Sequence, residues 1–250
     1  MAAYHLNLGI NLFCNSSAQK AIVGLNRHVA LLIMSSALCT GASFAILSTL
    51  PLHLGRNYRL NPLQIGLYFL PFTLGAIITR WNVGILLDRN FKRQARKVGE
   101  DIRSNQEIQR ESHRMPLEKA RVQVALPFLY LSCLVIIGYG WVMEYNVHLA
   151  GPLVMLFLYG NTTTAINNCI NNLVVNLNPN RPAATIASVN TIRHLTSAGA
   201  VATAVPLIDA VGIGWVGTFI AALCFLGSTT LWSVYIKGQR WRQEHIFEED

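Results

Sequence analysis

Six stretches of this chain, at about 28–50, 62–87, 122–142, 149–177, 183–208 and 213–236, are long and apolar. Each is close to the ~20 residues that an α-helix needs to cross a bilayer. Only Arg80 and Arg193 are formally charged well inside them. Charged residues make up 13% of the 250 positions, against about 25% in an average soluble domain. A soluble domain of this size could not cover its surface with so few charges. The stretches are therefore expected to face lipid, which predicts an all-α, multi-pass membrane protein. Residues 1–26 and 241–250 are expected to be tails around a bundle at 27–240.

The basic residues set an expected orientation. With a cytoplasmic N-terminus, sixteen Lys and Arg fall on the cytoplasmic side, and only Arg56 and Arg59 fall outside. That asymmetry is a strong positive-inside bias. The net charge of +8 thus reads as a topology signal. The basic segment lacks the interleaved aromatics of a nucleic-acid surface, so no nucleic-acid partner is expected. Of the five cysteines, Cys39, Cys133, Cys169 and Cys224 fall within spans and read as small apolar core residues. Neither a CxxC pair nor a metal-spaced cluster occurs, so no metal or cofactor is expected. Residues 1–27 lack the basic start and apolar core of a cleaved signal peptide.

Two connections carry more specific information. The long one, 88–121, holds ten basic and six acidic residues. Pairs such as Lys97/Asp101 and Arg103/Glu107 are four apart, a spacing that supports a solvated helix beside anionic lipid. It opens with "GILLDRNFKR", in which Gly84 permits close helix approach and Asp88 can accept hydrogen bonds from helix amides or pair with an arginine. Gly84, Asp88, Arg89 and Arg93 together resemble the cytoplasmic loop motif of the major facilitator superfamily, although Phe91 stands where that family often has a second glycine. The other informative stretch, "LVVNLNPNRPAATIASVNTIRH" at 173–194, resembles the link between the tenth and eleventh helices of fungal drug:proton antiporters in the same superfamily. "PLIDAVGIGW" at 206–215 is similar to their turn into the last helix.

The resemblance implies the second six-helix bundle of a twelve-helix fold, with a first bundle that this sequence does not match. It also implies a carrier, not an enzyme, that moves small organic solutes outward with protons as coupling ion. A plasma-membrane location is favoured over a vacuolar one. The rival reading is a truncated carrier fragment with no independent transport activity. No mid-membrane Asp or Glu is present in this chain, and in the family the proton-coupling group often lies in the first bundle.

The polar residues within the spans are the candidate substrate-cavity groups. Arg193 is about ten residues, or roughly 15 Å, into its span from Ala183. Insertion there costs about 2.5–3.5 kcal/mol, so the arginine is expected to face the bundle interior and to line a hydrated cavity, the alternative being a partner among helix carbonyls or a buried acid. Asn190, Arg193 and Ser197 are spaced to share that face. The fourth span carries two asparagine stripes, Asn167/Asn171 and Asn168/Asn172, and the first is taken as the cavity stripe. "GASF" at 41–44 superficially matches G-x-S-x, but only His194 offers a base at comparable depth.

Overall fold

The computed structural model describes residues 27–58, 60–98, 117–145, 147–177 and 182–249. The helices are α1 (Arg27–Tyr58), α2 (Pro62–Leu67), α3 (Phe69–Val98), α4 (Leu117–Glu144), α5 (Ala150–Leu177), α6 (Pro182–Val211) and α7 (Ile213–Glu249). No strand occurs among the described residues. Five helices contain stretches long and apolar enough to cross a membrane: α1, the α2–α3 pair, α4, α6 and α7. The remaining long helix, α5, carries six asparagines, Asn161, Asn167, Asn168, Asn171, Asn172 and Asn176. The chain is thus an all-α, multi-pass membrane protein.

The helices extend beyond the expected spans. Pro51, Pro127 and Pro206 lie inside helices. The second span is broken at Tyr68, between α2 and α3. Pro71 supplies the reason, since it has no N–H with which to continue the backbone ladder through that turn. α3 then runs on to Val98, so Asp88, Arg89 and Arg93 stand on a helix rather than in a loop. Asp101, the pair Arg103/Glu107 and the tail at 1–26 fall outside what the structure describes. Positions 241–249, expected to be a tail, continue α7.

α1 packs against α5, α6 and α7; α7 also packs on α4, α4 on α5, and α5 on α3. α3 and α6 are the flanks. Of their most apolar windows only 11% is buried, whereas 67% of α1's is buried. Two close approaches hold the frame. A side chain at Gly75 of α3 would strike the Phe157 carbonyl of α5, and one at Gly160 would strike the Phe72 carbonyl. In the α4–α7 pair, a Cβ at Gly140 would lie 3.0 Å from the Ile213 carbonyl oxygen. Lipid offers helices no hydrophobic drive to associate, so such small residues supply dispersion contact through proximity.

The turn between α6 and α7 is the single residue Gly212, at φ 92°, where a side chain would be strained. Beside it, Glu144 Oε2 accepts hydrogen bonds from the Ile213 and Gly214 amides at 2.9 and 3.3 Å. A carboxylate here satisfies two orphan donors at the positive end of the α7 dipole. Trp141 stacks on Tyr145 and meets Trp215 edge-on, both with ring centroids 5.8 Å apart. A second aromatic group lies further along α7, where Trp232 packs on Tyr235 and its indole N–H donates to the Tyr130 hydroxyl at 2.8 Å. From Trp215 to Trp232 is roughly 25 Å of helix, close to the ~30 Å hydrocarbon core. That spacing suits amphipathic rings at the two membrane–water interfaces.

Candidate functional site

The interior polar groups line up along α1. Ser36, Thr40 and Ser43 lie four and three residues apart and share one face. Each hydroxyl bonds a backbone carbonyl of its own helix: Ser36 to Ile33 at 2.9 Å, Thr40 to Ser36 at 2.8 Å and Ser43 to Cys39 at 2.9 Å. Each also meets a neighbouring helix. Ser36 Oγ accepts from Arg193 Nε of α6 at 3.0 Å. Thr40 Oγ1 reaches Asn167 Oδ1 of α5 at 3.5 Å, a weak contact. Ser43 Oγ and the Tyr159 hydroxyl of α5 are 3.0 Å apart. Ser43, the serine of "GASF", is thus held by a tyrosine and a carbonyl, while His194 stands edge-on to Phe44 at 6.1 Å.

Arg193 is 5% exposed, wedged between α6 and α1. It belongs to the stripe Thr185, Val189, Arg193, Ser197 and Ala204, the side of α6 that packs inward. The Ser197 hydroxyl donates to the Arg193 carbonyl at 2.7 Å. A hydrogen bond to a charged group contributes about 1.5–3 kcal/mol, so Ser36 offsets most of the insertion cost estimated above. The guanidinium is not fully satisfied, however, because Nη2 is buried without a partner.

The structure separates Asn190 from this stripe. Arg193 and Ser197 are buried, whereas Asn190 is exposed on the flank with Thr191 and His194. From Thr185 to Ser197 the buried stripe advances in steps of four residues, and a three-residue step drifts the other way around the helix. Asn167 and Asn171 are both half-buried on α5, and Asn172 is exposed. Arg193 and Asn167 are brought to the same α1 face; Asn190 is not.

The second cluster lies on α3. Val83 and Leu87 enter a small core with Val124, Ala125, Ala165 and Cys169, which joins α3 to α4 and α5. That contact leaves Asp88, Arg89 and Arg93 exposed, with Asp88 within electrostatic reach of Arg121 on α4. Gly84 does not serve close packing: a Cβ there would meet nothing within 4 Å. It faces outward, and Gly75 and Gly160 take the role expected of it. Glu144 escaped the sequence reading. Its signal was an acid at the end of one span, to be paired with the glycine turn "GIG" some seventy residues on.

Comparison with known proteins decides the family. The MFS-type transporter R5 of a Phoma species is 36% identical over 218 residues, 87% of this chain and 41% of its own length. MFS-type transporter clz19 of Cochliobolus lunatus is 37% identical, with the same two coverages of 87% and 41%. The chain belongs to the major facilitator superfamily. MFS-type transporter tstD of Talaromyces stipitatus is 32% identical over 89% of this chain and 40% of its own length. The chain thus spans about two fifths of the curated relatives it matches. It matches no family profile.

Proposed function

We propose that this chain is the second six-helix half of a carrier that exports small organic solutes in exchange for protons across the plasma membrane. The observation that carries the reading is the face of α6, where Asn190, Thr191 and His194 are exposed beside the buried Arg193. Polar side chains in a membrane-spanning helix call for water or another protein surface, and a first half would supply both. In that assembly Asn190, Asn167 and Asn171 line the substrate path. Arg193, held by Ser36, presents its unpartnered Nη2 to the path as the bundles move. Asp88, Arg89 and Arg93, with Gly84, form the cytoplasmic latch, in which Asp88 works against a cation such as Arg121.

The test joins this chain to the first half of a relative and compares Arg193→Ala with Ser228→Ala at equal membrane abundance. The arginine change is expected to reduce export of test solutes and the serine change to leave it intact. Normal export by Arg193→Ala removes the arginine from the transport path. In the same fusion, Asp88→Asn is expected to change the balance of inward- and outward-open states. A change in substrate selectivity alone would remove the latch role.

A second reading is favoured by the coverage of about two fifths of the relatives: a carrier fragment with no independent transport. It predicts no uptake by vesicles containing this chain alone, and recovery when a first half is supplied.

A further inference from the structure

The membrane-spanning part of this chain carries positive charge with no negative charge to balance it. None of the six apolar stretches contains an Asp or Glu. Two arginines stand inside them: Arg80 is exposed on the α3 flank, and Arg193 is 5% exposed between α6 and α1. Along α6 the polar neighbours of Arg193 are Asn190, Thr191, His194 and Ser197, none of them acidic. Across the contact they are neutral as well. Ser36 takes the Nε proton, and one turn further along α1 Thr40 meets Asn167. Buried charges are ordinarily paired. Arg193 has a hydroxyl where a carboxylate would be expected, and its Nη2 has no partner.

The guanidinium cannot lose its proton to relieve this, and it is a planar fork of five donors. With Nε committed to Ser36, both N–H bonds of Nη2 remain to be given. A neutral acceptor would satisfy them but would leave the charge uncompensated. An anion does both, and at the low dielectric of a helix bundle the charge term is the larger. A carboxylate has the added merit of planar oxygens that match the fork.

α6 is the element able to bring such a group to Arg193. It packs mainly on α1 and only lightly on α5, and 11% of its most apolar stretch is buried. The largest fully buried side chains belong to α1, α4 and α5. A small shift of α6 past α5 therefore uncovers the guanidinium and leaves that core in place. We propose, on the carrier reading given above, that Arg193 is the counter-charge for an organic anion, so that the solutes moved are carboxylates and not cations.

The test has a binding arm and a transport arm. In the first, the 250-residue chain in phosphatidylcholine nanodiscs is titrated with tritiated naphthoate, against empty nanodiscs as background. Binding is expected to saturate, and unlabelled naphthoate should displace it. The methyl ester and the naphthyl trimethylammonium cation should not. Arg193→Met, with thermal unfolding as the check on its fold, should weaken binding about tenfold or more, the loss of one hydrogen bond to a charged group. Arg193→Lys should keep part of it, because the charge stays and the fork is lost. Ser228→Ala should leave it unchanged. Binding by Arg193→Met as tight as by the parent overturns the site, and equal competition by chloride overturns the carboxylate in favour of an inorganic ion.

In the second arm, the fusion with a relative's first half is offered the same three probes. Naphthoate should be exported in preference, and Arg193→Met should remove that preference. Export of the cation or the ester in place of naphthoate overturns the substrate class and leaves the carrier standing. Naphthoate bound by the chain alone but not by the fusion places a carboxylate of the first half on Arg193, which also overturns the substrate role. Export of none of the probes, with naphthoate binding intact in the fusion, overturns the carrier reading and leaves the anion site.

Discussion

α1 and α6 touch through the same hydrogen bond, Arg193 to Ser36, yet they are different kinds of membrane helix. α1 buries 67% of its most apolar stretch, and α6 buries 11%. On α1 the polar residues Ser36, Thr40 and Ser43 all meet neighbouring helices, so they act as fasteners. On α6 the polar residues divide. Arg193 and Ser197 are buried, while Asn190, Thr191 and Thr203 are exposed. A helix at the bundle centre uses polarity to hold neighbours. A flanking helix that keeps polarity on its outer face is shaped for a partner or for water.

The largest test of that contrast is a pair of leucine truncations. Leu50 of α1 is 0% exposed and Leu195 of α6 is 69% exposed. Leu50→Ala should lose about 2 kcal/mol or more of unfolding free energy in micelles, and Leu195→Ala less than about 0.5 kcal/mol. Equal losses would erase the distinction between centre and flank.

The fastener itself is probed next. Ser36→Ala strands the Arg193 Nε and should cost about 1.5–3 kcal/mol. Arg193→Met removes the charge with its need for partners and should be near neutral, as replacement of buried charges by apolar groups often is. The double variant should then match Arg193→Met. Additive losses would show that the Arg193–Ser36 bond couples nothing.

Smaller still is the effect at the far end of α6. Glu144→Ala frees the first amides of α7 and should cost about 1 kcal/mol, and Glu144→Gln somewhat less. Thermal unfolding of the three proteins side by side measures it. The smallest effect should come from the exposed face. Asn190→Leu should change the stability of this chain by less than about 0.5 kcal/mol, yet reduce export in a fusion with a first half. A large stability loss would mean that Asn190 already has a structural partner.

Much of this was legible in the sequence, for a definable reason. Whether a stretch crosses a membrane depends on summed hydropathy over its own length, a local quantity. Every one of the six runs became helical, the second in two pieces, five of the six are long and apolar enough to cross a membrane, and the superfamily followed from motifs at the ends of those runs. Arg193 was visible as an interior group because a single charge at mid-depth must be solvated or paired wherever its helix stands. Which neighbour pairs with it was a tertiary decision: Ser36 is 157 positions away, and nothing local marks it among the other serines. The same applies to Asn190, whose spacing alone could not say which side of α6 meets α1. Gly84 and Gly75 look alike in sequence, but only the placement of α5 against α3 gives Gly75 a carbonyl to approach. Glu144 gains its meaning from α7 folding back beside α4. Hydropathy thus determined that these helices enter the membrane, and long-range packing decided which of their polar atoms would find partners there.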